Sequence, residues 1–232
     1  MQADDKQRRA APPPAEPPEG RRRRLTPDDR EREIIDGAIR YFAEVGLQGT
    51  MRELAGRLGI THANLFRYFP SKDMLVQRVF EEVYIKRWDQ AWTKMLQAPG
   101  QDLRTRLIAF YVSYQQTVST FEWVRIFVIA GLGGAETSQR YLELMRRRLV
   151  VPVASELRAL AGLPPPAERP LTNEELEIVW GLHGALFYAG IRCFIYDMAV
   201  PRDIERAVTA AVDAFLSGAA SAMVGLAGAK AR

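Results

Sequence analysis

The side chains that usually do covalent chemistry are scarce in this 232-residue chain, which has one cysteine, Cys193, and two histidines, His62 and His183. No nucleophile stands beside a histidine, no set of residues has metal-ligand spacing, and no glycine-rich loop could cradle a phosphate. A single cysteine also excludes an intramolecular disulfide framework. The chain is therefore expected to be no enzyme and to need no cofactor or metal. A different chemistry is available between residues 50 and 72, where Thr50, Arg52, Thr61, His62, Ala63, Asn64, Phe66, Arg67, Tyr68 and Lys72 stand close together. Hydroxyl, guanidinium and ammonium groups bind phosphates, and short polar side chains on a helix reach base edges.

Helix signals surround these residues. Thr26-Pro27-Asp28-Asp29 reads as a helix start, with a threonine cap, proline in the first helical position and two acids at the positive end of the macrodipole. Ile35, Ala38, Ile39 and Phe42 then share a face, and Gly46 is a natural stop. Thr50-Met51-Arg52-Glu53 is a capping box opening a second helix, with Leu54, Ala55 and Leu58 on its buried side. Gly59 breaks that helix, and Thr61 caps a third running to about Phe69, before Pro70. Ser71 and Asp73 open a fourth, expected to continue to about residue 97. Two short helices around Gly59-Ile60 make a helix-turn-helix pattern, in which the first braces the second for the DNA major groove. Leu65 and Phe69, four apart, anchor the core side of the third helix. His62, Ala63, Asn64, Arg67 and Tyr68 are left on or near its outer side.

Residues 32–75 resemble the DNA-binding domain of TetR/AcrR-type transcriptional regulators. The resemblance is carried by Ile34-Ile35, Ala38, Phe42-Ala43-Glu44-Val45-Gly46, Arg52-Glu53-Leu54-Ala55, Leu58-Gly59-Ile60-Thr61, Asn64-Leu65-Phe66-Arg67-Tyr68-Phe69 and Ser71-Lys72-Asp73-Met74-Leu75. It implies a homodimer that binds a double-stranded DNA operator and often answers to a small ligand. Position by position, it implies that Thr50 and Thr61 cap helices and touch phosphate and that His62 and Ala63 contact bases. Phe66, Arg67 and Tyr68 would lie along the backbone, and Lys72 would meet a phosphate. Two features depart from the family pattern. The stretch between Gly46 and Ala55 is one residue shorter than the commonest form, so the chain should enter the second helix differently. Phe66 replaces the usual tyrosine and cannot donate a hydrogen bond to phosphate, leaving Arg67 to supply that affinity.

The net charge of +4 is unevenly placed. Residues 1–25 carry seven bases against four acids, including the run Arg21-Arg22-Arg23-Arg24, among five prolines. Such a segment buries too little apolar surface to order itself and is expected to be a disordered arm. The arginine run suits phosphates or a narrow minor groove, and equally a solubilising leader. Residues 26–72 are expected to form the DNA-binding domain, and residues 73–232 a larger helical ligand-sensing and dimerisation domain in an all-α chain.

In that second part, Thr172-Asn173-Glu174-Glu175 is another capping box. Leu176, Trp180, His183, Phe187, Gly190 and Phe194 follow at helical spacing, as do Ile204, Val208, Ala211, Phe215, Gly218 and Ala222 after Pro201. Two such seams suit an antiparallel hairpin. Leu176, Phe187, Phe194, Ile204, Val208, Ala211 and Phe215 are the candidate dimer contacts. Trp88, Trp92, Tyr111, Tyr114, Trp123, Phe127, Trp180, His183 and Phe187 are candidate walls of an apolar ligand cavity, or plain core. Arg125, inside an apolar stretch, could meet an anionic ligand, pair with Glu122 or another acid, or face solvent. Cys193 reads as a small buried apolar residue. The longest strongly apolar run, from Ile126 to Ala135, is too short to cross a bilayer. With no apolar leader stretch at the N-terminus, a cytoplasmic protein without membrane contact is expected. The expected function is a homodimeric repressor released from its operator by a small, largely apolar ligand. The alternative is a ligand-independent co-regulator or architectural protein.

Overall fold

The computed structural model describes residues 26–86, 88, 90–133 and 136–229. The arm expected over residues 1–25, with its arginine run, lies outside the described residues. Among those described, the chain forms eleven α-helices and no strand.

Helix α1 (Pro27–Val45) starts where its cap predicts, with the Thr26 hydroxyl accepting from the Asp29 amide. It buries Ile34, Ile35, Gly37, Ala38, Ile39, Tyr41, Phe42 and Ala43. At 3.6 residues per turn this covers an arc of about 240°, far wider than one face. The width arises because α1 packs on α2 (Met51–Arg57) and α4 (Lys72–Phe80) on one side and on α7 (Phe121–Gly133) on the other. Helix α2 ends in a Schellman turn, with the Ile60 amide donating to the Ala55 carbonyl and the Gly59 amide to the Gly56 carbonyl. Gly59 has φ +64°, so glycine is needed there. The turn leads into α3 (His62–Tyr68). Leu54, Ala55, Leu65, Phe69, Leu75 and Val79 close the core beneath these helices.

The fourth helix does not run to residue 97. It passes after Phe80 into a π turn, Glu81–Ile85, and the chain then breaks before α5 (Gln90–Leu96). The Lys86 amide reaches back five residues to the Glu81 carbonyl. Within that wide turn the adjacent Val83 and Tyr84 are both buried. A second π turn, Arg146–Val150, joins α8 (Glu136–Met145) to α9 (Val151–Leu160) and buries the adjacent Leu149 and Val150.

Helix α6 (Leu103–Val118), α7, α9, α10 (Asn173–Phe194) and α11 (Ile204–Ala229) build the larger core. One ion-pair cluster closes the loop before α10. Arg158, fully buried, donates to both carboxylate oxygens of Glu175 at 2.9 and 2.6 Å and to the backbone carbonyls of Pro164, Arg169 and Pro170. Glu175 also accepts from Arg169 at 2.8 Å and from the Thr172 amide at 2.8 Å, completing the predicted capping box. Burial alone would raise the Glu175 carboxyl, but the Arg158 guanidinium and these donors hold it below the ordinary carboxylate range.

Helix α11 departs from the expectation about apolar runs. Among the described residues it is the one helix long and apolar enough, by length and composition, to cross a membrane, over Ile204–Gly228. A search for uninterrupted apolar residues misses it because Glu205, Arg206 and Asp213 fall within it. Asp213 pairs with Arg104 of α6 through two contacts, at 2.5 and 2.9 Å, which seats α11 on the protein core.

Replacing Glu175 by alanine strands the Arg158 charge inside the protein, and we expect a loss of about 3–5 kcal/mol in urea unfolding at pH 7. Asp213→Ala, at an exposed pair, should cost no more than about 1 kcal/mol.

Candidate nucleic-acid interface and the aromatic core behind it

Three side-chain caps set the interface. Thr50 accepts from the Glu53 amide at 3.2 Å, Thr61 from the Asn64 amide at 3.1 Å, and Ser71 from the Met74 amide at 3.2 Å. They start α2, α3 and α4, so three helix N-termini are fixed close along the chain. Glu53 is the hub of the first cap. It accepts from the Tyr41 hydroxyl at 2.7 Å and from the Thr50 amide and hydroxyl. The Tyr41 hydrogen bond, then those from Thr50, hold its carboxyl below the ordinary range. Gly49 packs against the same tyrosine ring, where a Cβ would come within 2.5 Å of the hydroxyl oxygen. The short stretch after Gly46 therefore fits because glycine passes under Tyr41 while Tyr41 orients α2.

The expected site residues lie on this surface. His62, Ala63, Phe66 and Arg67 are exposed on α3, Asn64 and Tyr68 are half-buried, and Leu65 faces the core. Thr50, Arg52 and Thr61 are exposed, and Lys72 is half-buried. Several already have partners. The Thr50 hydroxyl proton is committed to Glu53, whereas in the α3 cap Thr61 acts as an acceptor. Lys72 donates to the Leu47 carbonyl, which holds the ammonium at the start of α4 with donors to spare. The Arg67 guanidinium lies over the Tyr68 ring at 5.2 Å and donates to its hydroxyl at 3.2 Å. Phe66 packs on His62, ring centroids 4.5 Å apart. From Thr61 to Lys72 there is no acidic residue. The acids of the domain are held elsewhere, as in Glu33 with Arg30 and Glu44 with Arg57.

The geometry is a short helix braced from behind and offering cationic, aromatic and small side chains outward. Residues 34–79 match the family described as bacterial regulatory proteins, tetR family. The N-terminal part of this chain is a tetR-family DNA-binding domain. Its fold is similar to that of a tetR-family transcriptional regulator from Streptomyces coelicolor, with 18% identity over 86% of this chain and 84% of that one and a TM-score of 0.60. A TetR-like transcriptional regulator from Rhodococcus sp. RHA1 is similar at 21% identity over 88% and 100%, TM-score 0.59. AmtR of Mycobacterium smegmatis is similar at 18% identity over 89% and 98%, TM-score 0.53. No curated protein matches the sequence. The chain thus pairs an N-terminal tetR-family helix-turn-helix DNA-binding domain with a larger helical domain.

In that larger domain, the nine candidate ligand residues fall into two groups of touching rings, joined by a hydrogen bond between Tyr114 and Tyr141. Trp88 meets Trp92 at 5.5 Å, Trp92 meets Tyr114 at 5.3 Å, Tyr114 meets His183 at 5.5 Å, and Trp180 meets His183 at 5.6 Å. Tyr111 joins at His183, and Trp123, Phe127 and Phe187 pack on one another. Sequence spacing missed Tyr84, in the π turn, and Tyr141, on α8. Tyr84 donates to the Trp123 carbonyl at 2.9 Å, and the Tyr114 and Tyr141 hydroxyls share a hydrogen bond. A separate apolar pocket of about 200 Å³ lies between α6, α10 and α11, lined partly by Cys193, Phe194, Ile204 and Val208.

Two expectations change here. Arg125 neither pairs with Glu122 nor faces solvent alone; its Nε donates to the Ala43 carbonyl at 2.6 Å and it lies over Phe121 at 5.1 Å. The Gly46 amide serves the Phe42 carbonyl in the last turn of α1, and α7 supplies the donor for Ala43. Of the residues given as dimer contacts, two face fully inward. Leu176 and Val208 are buried within the single chain, Phe187 packs on Trp123, and Phe194, Ile204, Ala211 and Phe215 are half-buried against the same core. The faces left open are Gly181, Gly184, Ala185 and Tyr188 on α10, and Ala214, Gly218, Ala222 and Val224 on α11. Helical spacing identifies a face but not which neighbour covers it.

Burial pushes the His183 pKa down from 6.5 to about 4. The unfolded chain therefore takes up a proton that the folded one refuses, and stability falls as pH drops from 6.5 towards 4. The full window corresponds to about 3 kcal/mol at about 1.4 kcal/mol per pH unit. Wild type and His183→Gln unfolded in urea at pH 7.5, 5.5 and 4.5 should diverge, with the variant lacking this component.

Proposed function

We propose that the protein is a homodimeric transcriptional repressor that leaves its operator when a small, largely apolar ligand occupies the larger domain. The observation that carries the DNA part is the acid-free, outward surface of α3 between the Thr61 cap and Lys72, supported from behind by α2. Ala63 and His62 stand at the start of α3, where side chains of a recognition helix reach base edges. Arg67, Lys72 and the Thr61 hydroxyl take phosphates. Phe66 contributes contact area without a hydroxyl.

One such helix reads few base pairs. Two of them about 34 Å apart read half-sites on one side of the duplex, so dimerisation is part of recognition. The open small-residue faces of α10 and α11 supply the interface, since glycine and alanine let helices approach closely. This also accounts for the exposed apolar length of α11. The protein then acts in the cytoplasm, with no membrane.

Ligand response needs a path between the domains, and α7 provides one. It contributes Trp123 and Phe127 to the ring network, its Trp123 carbonyl holds Tyr84 beyond α4, and its Arg125 holds the end of α1. A ligand that displaces α7 biases both helices that frame α3. It shifts operator binding only by as much as its own affinity differs between the two arrangements.

Selection from a random pool of duplex DNA should return a palindrome with half-sites about one helical turn apart. On that sequence, Arg67→Ala combined with Lys72→Ala should lower affinity on every duplex and flatten the salt dependence by about one unit of slope per lost phosphate contact. An unchanged slope removes both phosphate assignments. Ala214→Arg, on the open face of α11, should convert a two-copy species into a single copy in sedimentation and weaken operator binding with it. A variant that still sediments as two copies places the interface elsewhere.

A further inference from the structure

Four hydrogen-bonding atoms inside the aromatic network have no partner and no exposure: the Tyr111 hydroxyl, Trp123 Nε1, Ser138 Oγ and His183 Nδ1. They belong to one cluster. Tyr111 lies 6.2 Å from His183 and 6.3 Å from Tyr114 between ring centroids, Tyr114 is hydrogen-bonded to Tyr141, and Tyr141 lies 5.6 Å from Trp123. Ser138 precedes Tyr141 by three residues on α8 and so shares its face. A buried donor or acceptor left unmade costs about 1–3 kcal/mol, and four in one core form a standing cost rather than a single packing accident.

Charge narrows what could satisfy them. Burial keeps Tyr111, Tyr114 and Tyr141 protonated, since their pKa values are all raised, and keeps His183 neutral. The fully buried ionised side chains among the described residues are Arg158 and Glu175, which are paired with each other. The cation that touches the network, Arg148 over the Trp88 ring at 5.6 Å, is exposed at its rim, so a charged guest would meet no buried counter-charge beside the four atoms. Trp123 Nε1 can only donate, whereas the tyrosine and serine hydroxyls donate or accept. The walls are flat rings, which favour stacked or edge-on contact with another ring.

We propose that this cluster is the ligand site of the larger domain and that it takes an uncharged aromatic molecule bearing a hydroxyl or carbonyl oxygen, which Tyr111, Trp123, Ser138 and His183 bind by hydrogen bonds. The inference rests on the ligand-responsive reading above and gives the ligand its chemical class. The guest enters by parting the rings of α6, α7, α8 and α10, and the hydrogen bonds it completes offset that opening.

The test uses the full chain and three probes of one size: 1-naphthol, naphthalene and 1-naphthoate. Tryptophan fluorescence reads binding, because Trp123 is in the site. We expect naphthol to bind about tenfold tighter than naphthalene, the equivalent of one good hydrogen bond, and naphthoate to bind at least as weakly as naphthalene. Tyr111→Phe should remove most of the naphthol advantage, leave naphthalene unchanged, and melt no lower than wild type, because it deletes an unpaired hydroxyl. Ser138→Ala repeats the comparison at a second atom. The proposal is overturned if naphthol shows no advantage over naphthalene, if none of the probes binds at millimolar concentration, or if naphthoate binds best. A Tyr111→Phe variant that melts well below wild type also overturns it, since a trapped water would then already satisfy that hydroxyl. Operator binding without any probe, measured on the same samples, reports on the DNA-binding reading separately.

Discussion

Helix α1 is covered on two sides by different parts of the chain, and this constraint organises the molecule. It buries about two-thirds of its circumference against elements of both domains. One side of α1 forms the floor on which α2 and α4 set α3, and the other lies on α7. Its C-terminal end is closed by Arg125 of α7, a long-range donor for a carbonyl that no local residue reaches. The small domain is therefore not a module on a tether. Its central helix is also an outer helix of the larger domain, and the position of α3 is referred to that larger core.

The parts of this arrangement legible in the sequence are those with local causes. Thr26, Thr50, Thr61, Ser71 and Thr172 cap the helices they precede because each acts on an amide three residues later. Gly59 turns the chain because only a residue without Cβ adopts its conformation cheaply. Leu65 and Phe69 point inward because they are one helical turn apart. The unreadable parts have causes far away in the chain. Arg125 finds Ala43 across 82 residues, and nothing near Arg125 signals that an α1 carbonyl is waiting. The π turn at Glu81–Ile85 carries Tyr84, whose partners Trp123 on α7 and Tyr141 on α8 lie far along the chain. The inward direction of Leu176 and Val208 follows from where α6 and α9 sit, which periodicity does not encode.

The candidate interface shows the same division. Residue types named its members, but their readiness for DNA depends on contacts within the protein. Lys72 is held to Leu47 and Arg67 to Tyr68, so both cations are partly ordered before any duplex arrives. Ordering long side chains in advance lowers the conformational entropy lost on binding, at the cost of contacts that must be shared or exchanged with phosphate. Thr50 and Thr61 look alike in sequence yet differ here. The first has given its proton to Glu53 and serves the fold, whereas the second remains able to donate outward.

Helix α7 carries three roles within little more than one turn, and they cannot be moved independently. Trp123 and Phe127 wall the ring network, the Trp123 carbonyl anchors Tyr84 after α4, and Arg125 anchors α1. A rigid helix transmits displacement along its length, whereas a loop would absorb it. Opening the ring network by even a fraction of a side-chain width must therefore stretch the Tyr84 bond, the Arg125 bond, or carry α1 and α4 along. Both bonds are buried or half-buried, and breaking either leaves an unpaired polar group. Carrying the helices along avoids that cost, and α1 and α4 are the two supports between which α3 is placed. Under the proposed ligand response, the route from the aromatic core to the supports of α3 therefore runs through these two hydrogen bonds.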